Sequence, residues 1–176
     1  ATITETPIYS YTETATHTET PDYTVTASAT ATETSHIPQE GEILFSSDRT
    51  GEWEIYRRNL ATGVEVNITN NPGFDDLNPN ISPDGRYAVY VSDTEGTFDI
   101  WRIDLDDYSK TRFTSNISSE WDPAYSPDGT KIVYKSNADD GYGDIWIMNA
   151  DGTGQTNLTP FMNTTEEWDP HFTRDG

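Results

Sequence analysis

A short phrase, Ser-Pro-Asp-Gly followed by an apolar strand, recurs along this chain and constrains its fold more than any other feature. The phrase begins at Ser82 and again at Ser126, and a degenerate version, Thr-Arg-Asp-Gly, begins at Thr173. Acidic-Ile-aromatic triplets start 45 residues apart at Glu54, Asp99 and Asp144. A self-similarity of this length indicates a repeat architecture, in which each repeat needs its neighbours to bury its apolar face.

Each repeat divides into four short strands separated by turn residues. In the third repeat the predicted strands are residues 123–126, 132–134, 144–148 and 155–159. No segment shows a sustained helical period. Four antiparallel strands in a repeat of about 45 residues form the blade of a β-propeller, so the sequence predicts an all-β fold built from propeller-type blades.

The linked motifs resemble a known family. Ser-Pro-Asp-Gly, an apolar strand ending in Ser, Asp-Ile-Trp and Leu-Thr follow one another as in the repeat of TolB-type propellers, also called PD40 or WD40-like, over residues 42–176. The resemblance implies three blades and the start of a fourth. It implies less about function, because this blade serves periplasmic scaffolds, peptidase gating domains and surface proteins.

The first 36 residues differ from the rest and are predicted to form an extended arm, with residues 37–176 forming the blades. Of the 17 even positions from 2 to 34, 13 are Thr, and a strand would place them on one face. A disordered Thr-rich stalk is the alternative. Thr tracts with Pro are typical of O-glycosylated segments. The predicted glycan sites are Thr12, Thr14, Thr16, Thr18, Thr20, Thr24, Thr26, Thr30, Thr32 and Thr34.

Charge and composition exclude several functions. With 10 basic and 31 acidic residues the net charge is −21, which opposes nucleic-acid binding. No apolar run approaches the length of a membrane-spanning helix, so no membrane insertion is predicted. The chain has no Cys and no Gly-x-Ser-x-Gly elbow, and its three His stand in no recognisable arrangement with a nucleophile. We therefore predict that it is not an enzyme and has no catalytic residues.

Three blades and the start of a fourth do not close a ring, since propellers have about four to eight blades. Open sheet edges invite pairing with another chain. The predicted assembly edge comprises Phe172 and Gly176 at one end of the blade region and Ile43 and Phe45 at the other. Three arrangements stay open: a head-to-tail homopolymer, a closed ring of two copies, and a piece of a larger propeller.

Acidic and amide side chains recur just before the innermost predicted strand of each repeat. In a propeller they would gather at one mouth of the central channel, a usual partner-binding face of the family that the chain resembles. The predicted partner-binding mouth comprises Asp76, Asn78, Glu120, Asp122, Glu167 and Asp169. No cofactor is predicted, and the oxygen-rich loop containing Asn137, Asp139 and Asp144 is only a weak calcium candidate because it lacks the spacing of a calcium loop.

These observations predict a non-enzymatic structural subunit of an extracellular or cell-surface filament. The subunit would polymerise by exchange of strands or arms with copies of itself and carry glycan on the arm. The alternative is a periplasmic TolB-like scaffold whose acidic mouth holds a protein or peptide, or a fragment of a larger propeller.

Overall fold

The computed structural model describes residues 41–139, 141–160 and 166–176, and the described chain is all β. No helix occurs in these three ranges, which leave the Thr-rich arm and its predicted glycan sites outside the described residues. The strands are β1 Glu42–Ser47, β2 Glu54–Asn59, β3 Glu65–Asn67, β4 Asp76–Ile81, β5 Tyr87–Ser92, β6 Asp99–Asp104, β7 Lys110–Arg112, β8 Glu120–Tyr125, β9 Lys131–Ser136, β10 Asp144–Asn149 and β11 Thr156–Asn157.

These strands form three antiparallel sheets in which neighbours along the chain pair with each other. The second sheet has the order β4-β5-β6-β7 and the third β8 to β11, while the first contains β1-β2-β3 within the described residues. We call the sheets blades 1, 2 and 3. The prediction of an all-β fold with four-stranded blades is confirmed.

The alternating side chains of β5 explain how the blades stack. Ala88 and Tyr90 are fully buried in an apolar cluster with residues of blade 1, and Val89 and Val91 are fully buried in a second cluster with residues of blade 3. Because successive side chains of a strand point to opposite faces, one strand supplies both clusters. A central strand buried on both faces reads as a continuous β-branched and aromatic run, as β5 does.

The recurrent phrase is a self-contained turn that joins the first and second strands of a blade. In blade 2 the Ser82 Oγ donates to Asp84 Oδ1 over 2.5 Å and accepts from the Tyr87 backbone N over 2.9 Å. Gly85 has a φ of 72°, which favours glycine. Ser126 and Asp128 make the same contacts in blade 3. Each residue type of the phrase therefore has a conformational reason.

The last segment, residues 166–176, contains a turn but no strand, so the first strand predicted from Phe172 is not formed there. A strand needs a hydrogen-bonding neighbour, and no second strand follows it within the described residues. The segment nevertheless begins as an inner strand does, because the Glu167 N donates to Gly143 O over 2.8 Å. The turn is closed by Gly176 N and Thr173 O at 3.1 Å.

The other half of the predicted assembly edge lies on β1. Ile43 is 42% exposed, whereas the ring of Phe45 stacks on Tyr56 with 5.9 Å between centroids. The Arg49 guanidinium covers both rings, at 5.3 Å and 4.2 Å from their centroids. The aromatic face at Phe45 is therefore already covered by a charged side chain of the same chain. The role of the four predicted residues in assembly stays a prediction.

Candidate functional site

The innermost strands of blades 2 and 3, β4 and β8, are interrupted at the same place by a residue in the left-handed conformation. Asn78 and Asp122 have φ values of 53° and 51°, and the register of β4 and of β8 shifts there. Asp169, at the equivalent position after blade 3, also has a φ of 51°. Asn and Asp tolerate this conformation better than other side chains. The bulge explains why Asn or Asp precedes Pro79, Pro123 and Pro170.

The three bulge residues line one small cavity, which we call the channel cavity. Its volume is about 130 Å³, and Pro79, Asn80, Pro123 and His171 complete its lining. The Asn78 Nδ2 donates to Asp122 Oδ1 over 2.8 Å, which links the bulges of blades 2 and 3. The cavity thus combines two amides, two carboxylates and an imidazole contributed by three successive repeats.

Electrostatics in the channel cavity favour a positively charged or hydrogen-donating group. Burial raises the pKa of Asp122, and the charge of Asp169 raises it further. A backbone hydrogen bond from Asp169 and the charges of Lys135 and His171 lower the pKa in part. Repulsion between two nearby carboxylates is relieved when a cation enters between them.

Three of the predicted mouth residues, Asp76, Glu120 and Glu167, do not line the cavity. Asp76 and Glu120 are fully buried at 0% exposure, at the first position of β4 and of β8. A regular strand would place Asp76 and Asn78 on the same face, but the bulge at Asn78 breaks that alternation. The six residues predicted as one surface are therefore two sets, and Asp76 and Glu120 belong to the interior.

Both buried acids have raised pKa values. Burial raises the pKa of Asp76 to about 6, against hydrogen bonds from Ser92 and Asn71 that lower it. Burial raises the pKa of Glu120 to about 7, although hydrogen bonds from Thr114 and Ser136 lower it. The Asp76 Oδ2 and the Glu120 Oε2 have no hydrogen-bond partner among the described residues.

A second set of acidic residues braces the third and fourth strands of each blade. In blade 1 the Thr69 Oγ1 donates to Glu54 Oε2 over 2.6 Å and accepts from the Ile55 backbone N over 2.9 Å. Thr114 makes the same pair of contacts in blade 2, and Thr159 makes it in blade 3. The recurrent acidic-Ile and Leu-Thr motifs are therefore structural.

The weak calcium candidate is occupied by internal donors. The Asn157 Nδ2 donates to Asp139 Oδ2 over 2.6 Å and to Asp144 Oδ2 over 2.9 Å, while Asn137 Oδ1 accepts from the Ser119 N over 2.8 Å. The described residues contain no group of three His, Cys, Asp or Glu side chains that could hold a metal ion. The absence of a cofactor stays a prediction.

Sequence reasoning missed His171, which lines the channel cavity with its Nδ1 3.0 Å from Asp169 O. Its signal was the bulge residue two positions earlier, since Asn80 lies two positions after the bulge residue Asn78 and also lines the cavity. The ring of Trp121 lies 4.1 Å from that of Phe98 and packs with the cluster shared by blades 2 and 3.

The fold and these braces define a β-propeller made of repeated four-stranded blades. The family of the TolB beta propeller domain, PD40, matches residues 11–159, and the chain belongs to this family.

The similar sequences carry TolB names. A protein named as a TolB homolog in Chlorobaculum tepidum is 31% identical over 66% of this chain and 26% of its own length. The Tol-Pal system protein TolB of Anaeromyxobacter dehalogenans is 32% identical over 67% of this chain and 27% of its own length. The chain thus spans about a quarter of the length of these two relatives.

Solved structures agree with the family. A TolB structure from Agrobacterium tumefaciens has a TM-score of 0.63 and 29% identity, covering 69% of this chain and 46% of that one. An oligogalacturonate lyase from Vibrio parahaemolyticus has a TM-score of 0.54 at 17% identity, covering 69% of this chain and 37% of that one. At that identity the lyase shows the fold alone.

The comparisons overturn the main functional prediction. The chain's relatives are named as TolB and Tol-Pal proteins, so the prediction of an extracellular filament subunit is wrong and its TolB-like alternative is better supported. The described residues contain no helix that is long and apolar enough to cross a membrane. Glycan on the arm and self-association stay predictions.

Proposed function

We propose that this chain is a non-enzymatic, protein-binding part of a periplasmic TolB-like propeller. The channel cavity carries this proposal, because three consecutive repeats place Asn78, Asp122 and Asp169 around one opening. The binding face is the channel side of the inner strands, and the partner is a protein that presents a basic side chain there.

The geometry supports a hydrogen-donating side chain as the group that enters. Asp122 already accepts from the Asn78 amide and from the Asp169 backbone, so the Asp169 carboxylate is the group that would meet an incoming donor first. A cavity of about 130 Å³ accommodates one Lys or Arg head group and no larger ligand. The net charge of −21 would speed the approach of a basic partner.

The family supports the class of function. The names of the two TolB relatives describe no enzymatic activity, and the name of one of them assigns it to the Tol-Pal system. We therefore propose as partner the protein Pal that shares the system's name, and a periplasmic location. Glu54, Asp99 and Asp144 are used in the structural hydrogen bonds of the braces, which fits a scaffold that does no chemistry.

The test is titration calorimetry of the full chain with purified Pal from Anaeromyxobacter dehalogenans. TolB from the same organism is the positive control. We expect binding by this chain, and we expect the double substitution Asp122→Asn with Asp169→Asn to weaken it by about tenfold or more, because two cavity carboxylates lose their charge. Asn retains the tolerance of the left-handed conformation at both positions.

The matched control is Asp48→Asn with Glu52→Gln, which removes the same two charges from exposed positions on blade 1. This control should bind as the unaltered chain does. The proposal fails if the positive control binds Pal while this chain does not, or if the cavity variant and the control variant bind equally well.

A further inference from the structure

A larger cleft opens between blades 2 and 3 at the end of the strands that carries the Ser-Pro-Asp-Gly turns, and it shares no residue with the channel cavity. We call it the turn cleft. Its volume is about 570 Å³, within the range of small-molecule and peptide sites. The lining residues that matter here are Asp84, Tyr87, Arg102, Tyr125, Asp128 and Asp151.

The equivalent junction between blades 1 and 2 shows what this cleft lacks. There Arg57 is paired with Glu42, whose Oε2 accepts from its Nη2 over 2.6 Å and from its Nε over 3.0 Å. Its Nη1 donates across the junction to Leu105 O in blade 2 over 2.9 Å. One arginine, satisfied by one carboxylate and one carbonyl, therefore fills the junction of blades 1 and 2.

The same strand positions in blade 2 hold Arg102 and Tyr87. Arg57 in β2 corresponds to Arg102 in β6, because their strand partners, Leu44 and Val89, are equivalent. Glu42 in β1 corresponds in the same way to Tyr87 in β5, whose partners are Asn59 and Asp104. Replacement of the acid by Tyr removes the internal partner of Arg102. Ala150, which follows β10 as Leu105 follows β6, lines the open cleft instead of accepting from the arginine.

Arg102 is held in place without a hydrogen-bond acceptor. Its guanidinium carbon lies 4.4 Å from the Tyr87 ring centroid and 5.1 Å from that of Phe113. Within the described part of the chain, no hydrogen bond or ion pair uses its nitrogens. Because the guanidinium is already held between two rings, it loses little conformational entropy when a ligand binds. A planar carboxylate can accept two parallel hydrogen bonds from it and is therefore the acceptor that fits best.

Tyr125 adds a second donor to the cleft. Its hydroxyl oxygen is buried and has no hydrogen-bond partner among the described residues. Burial raises the pKa of this phenol, so it keeps its proton. A buried polar group without a partner is costly, and a ligand oxygen would remove that cost.

The other charged groups of the cleft are carboxylates. A hydrogen bond from Ser126 holds the pKa of Asp128 below its usual value, and one from Thr153 does the same for Asp151. Asp84 accepts from the Ser82 hydroxyl in the equivalent way. These ionised groups repel a simple anion, whereas a simple cation would leave Arg102 unpaired. A ligand that carries a carboxylate and a cationic group a few bonds apart could pair with Arg102 and with the cleft carboxylates at the same time.

We propose that the turn cleft binds the carboxyl terminus of a peptide that ends in a basic residue. The terminal carboxylate accepts from the Tyr125 hydroxyl and pairs with Arg102, as the carboxylate of Glu42 pairs with Arg57 in blade 1. The basic side chain lies among Asp84, Asp128 and Asp151. This site is additional to the channel cavity, and its occupancy does not depend on the partner proposed there.

The test is titration calorimetry of the full chain with N-acetyl-glycyl-L-arginine. We expect binding of the free acid to be about tenfold or more tighter than binding of the same peptide as its C-terminal amide, since the amide loses the charged pair with Arg102. Arg102→Gln should remove this preference. Asp151→Asn should weaken the arginine peptide but leave N-acetyl-glycyl-L-alanine unchanged.

A second variant tests whether the missing acid explains why the junction of blades 2 and 3 is open while that of blades 1 and 2 is closed. Tyr87→Glu supplies the acid that Glu42 supplies in blade 1, so it should pair with Arg102 and abolish peptide binding while the melting temperature is retained. Arg86→Gln is the matched control, because Arg86 also stacks on Tyr87, at 5.1 Å, but lies outside the cleft lining.

The control variant should bind as the unaltered chain does. The proposal is overturned if neither peptide form binds, if the acid and the amide bind equally, or if Arg102→Gln and Tyr87→Glu, both folded by circular dichroism, bind the acid as tightly as the unaltered chain.

Discussion

Raising the pH from about 5 to about 8 should destabilise this fold, because two buried carboxyl groups must lose a proton where hydrogen bonds stabilise the charge only in part. Burial raises the pKa of Asp76 from 3.8 to about 6 and that of Glu120 from 4.5 to about 7. The folded chain therefore holds protons that the unfolded chain has already released. The stability that this contributes is complete below the unfolded pKa values and is lost as the pH rises through the folded ones.

The magnitude follows from the shifts. One pKa unit corresponds to about 1.4 kcal/mol, so each group accounts for on the order of 3 kcal/mol between its ionised and protonated forms. Carboxylates with lowered pKa values, such as Asp84, oppose this only below about pH 4, where they take up protons. Between about pH 5 and about pH 8 the buried pair therefore dominates the change in stability.

The assay is urea unfolding followed by tryptophan fluorescence at a series of pH values. The free energy of unfolding should fall across this interval. Roughly a third of the fall comes from Asp76, which ionises by about pH 6, and about two thirds from Glu120, which ionises by about pH 7, so Asp76→Asn and Glu120→Gln should remove these shares. The exposed Glu52→Gln should keep the whole slope, which separates the buried pair from general repulsion at a net charge of −21. A stability that is flat or rises over the interval, or a slope unchanged in both buried variants, would refute the reasoning.

Two further perturbations test the braces and the last segment. Thr114→Val leaves the buried Asp99 without a hydroxyl donor and should lower the free energy of unfolding, measured in urea, by about 1–3 kcal/mol. The control Thr111→Val, at an exposed position, should change it little. Equal effects of the two substitutions would contradict a structural brace. Gly143→Ala would place a Cβ 1.8 Å from the Lys135 Cε and displace that side chain from the ring of Trp168, so the tryptophan emission should change; an unaltered spectrum and melting temperature would contradict this contact.

The blade and its turns could be predicted from sequence because their causes are local. Ser82, Asp84 and Gly85 close a turn with contacts that span only a few residues, and β5 has a residue composition that suits a strand buried on both faces. The repeat of about 45 residues then supplied the number of blades without any knowledge of their packing.

The binding face could be predicted only in part. Asn78, Asp122 and Asp169 were identified because they recur at one position of the repeat, and they do line one cavity. Asp76 and Glu120 recur as regularly but lie inside, since period-two reasoning does not anticipate a residue in the left-handed conformation within a strand. The filament prediction failed for another reason: it used the count of blades in this chain, which covers about a quarter of the relatives' length.

By itself the sequence determined the class of fold, the length of the repeat and the residues of each turn, because these depend on neighbours along the chain. Only the tertiary structure decided which recurring acids face the channel and which are buried. It also decided that Arg57 closes its junction whereas Arg102 faces an open cleft. These differences depend on Glu42 or Tyr87 packing beside the arginine from another strand, a contact that repeat spacing alone does not show.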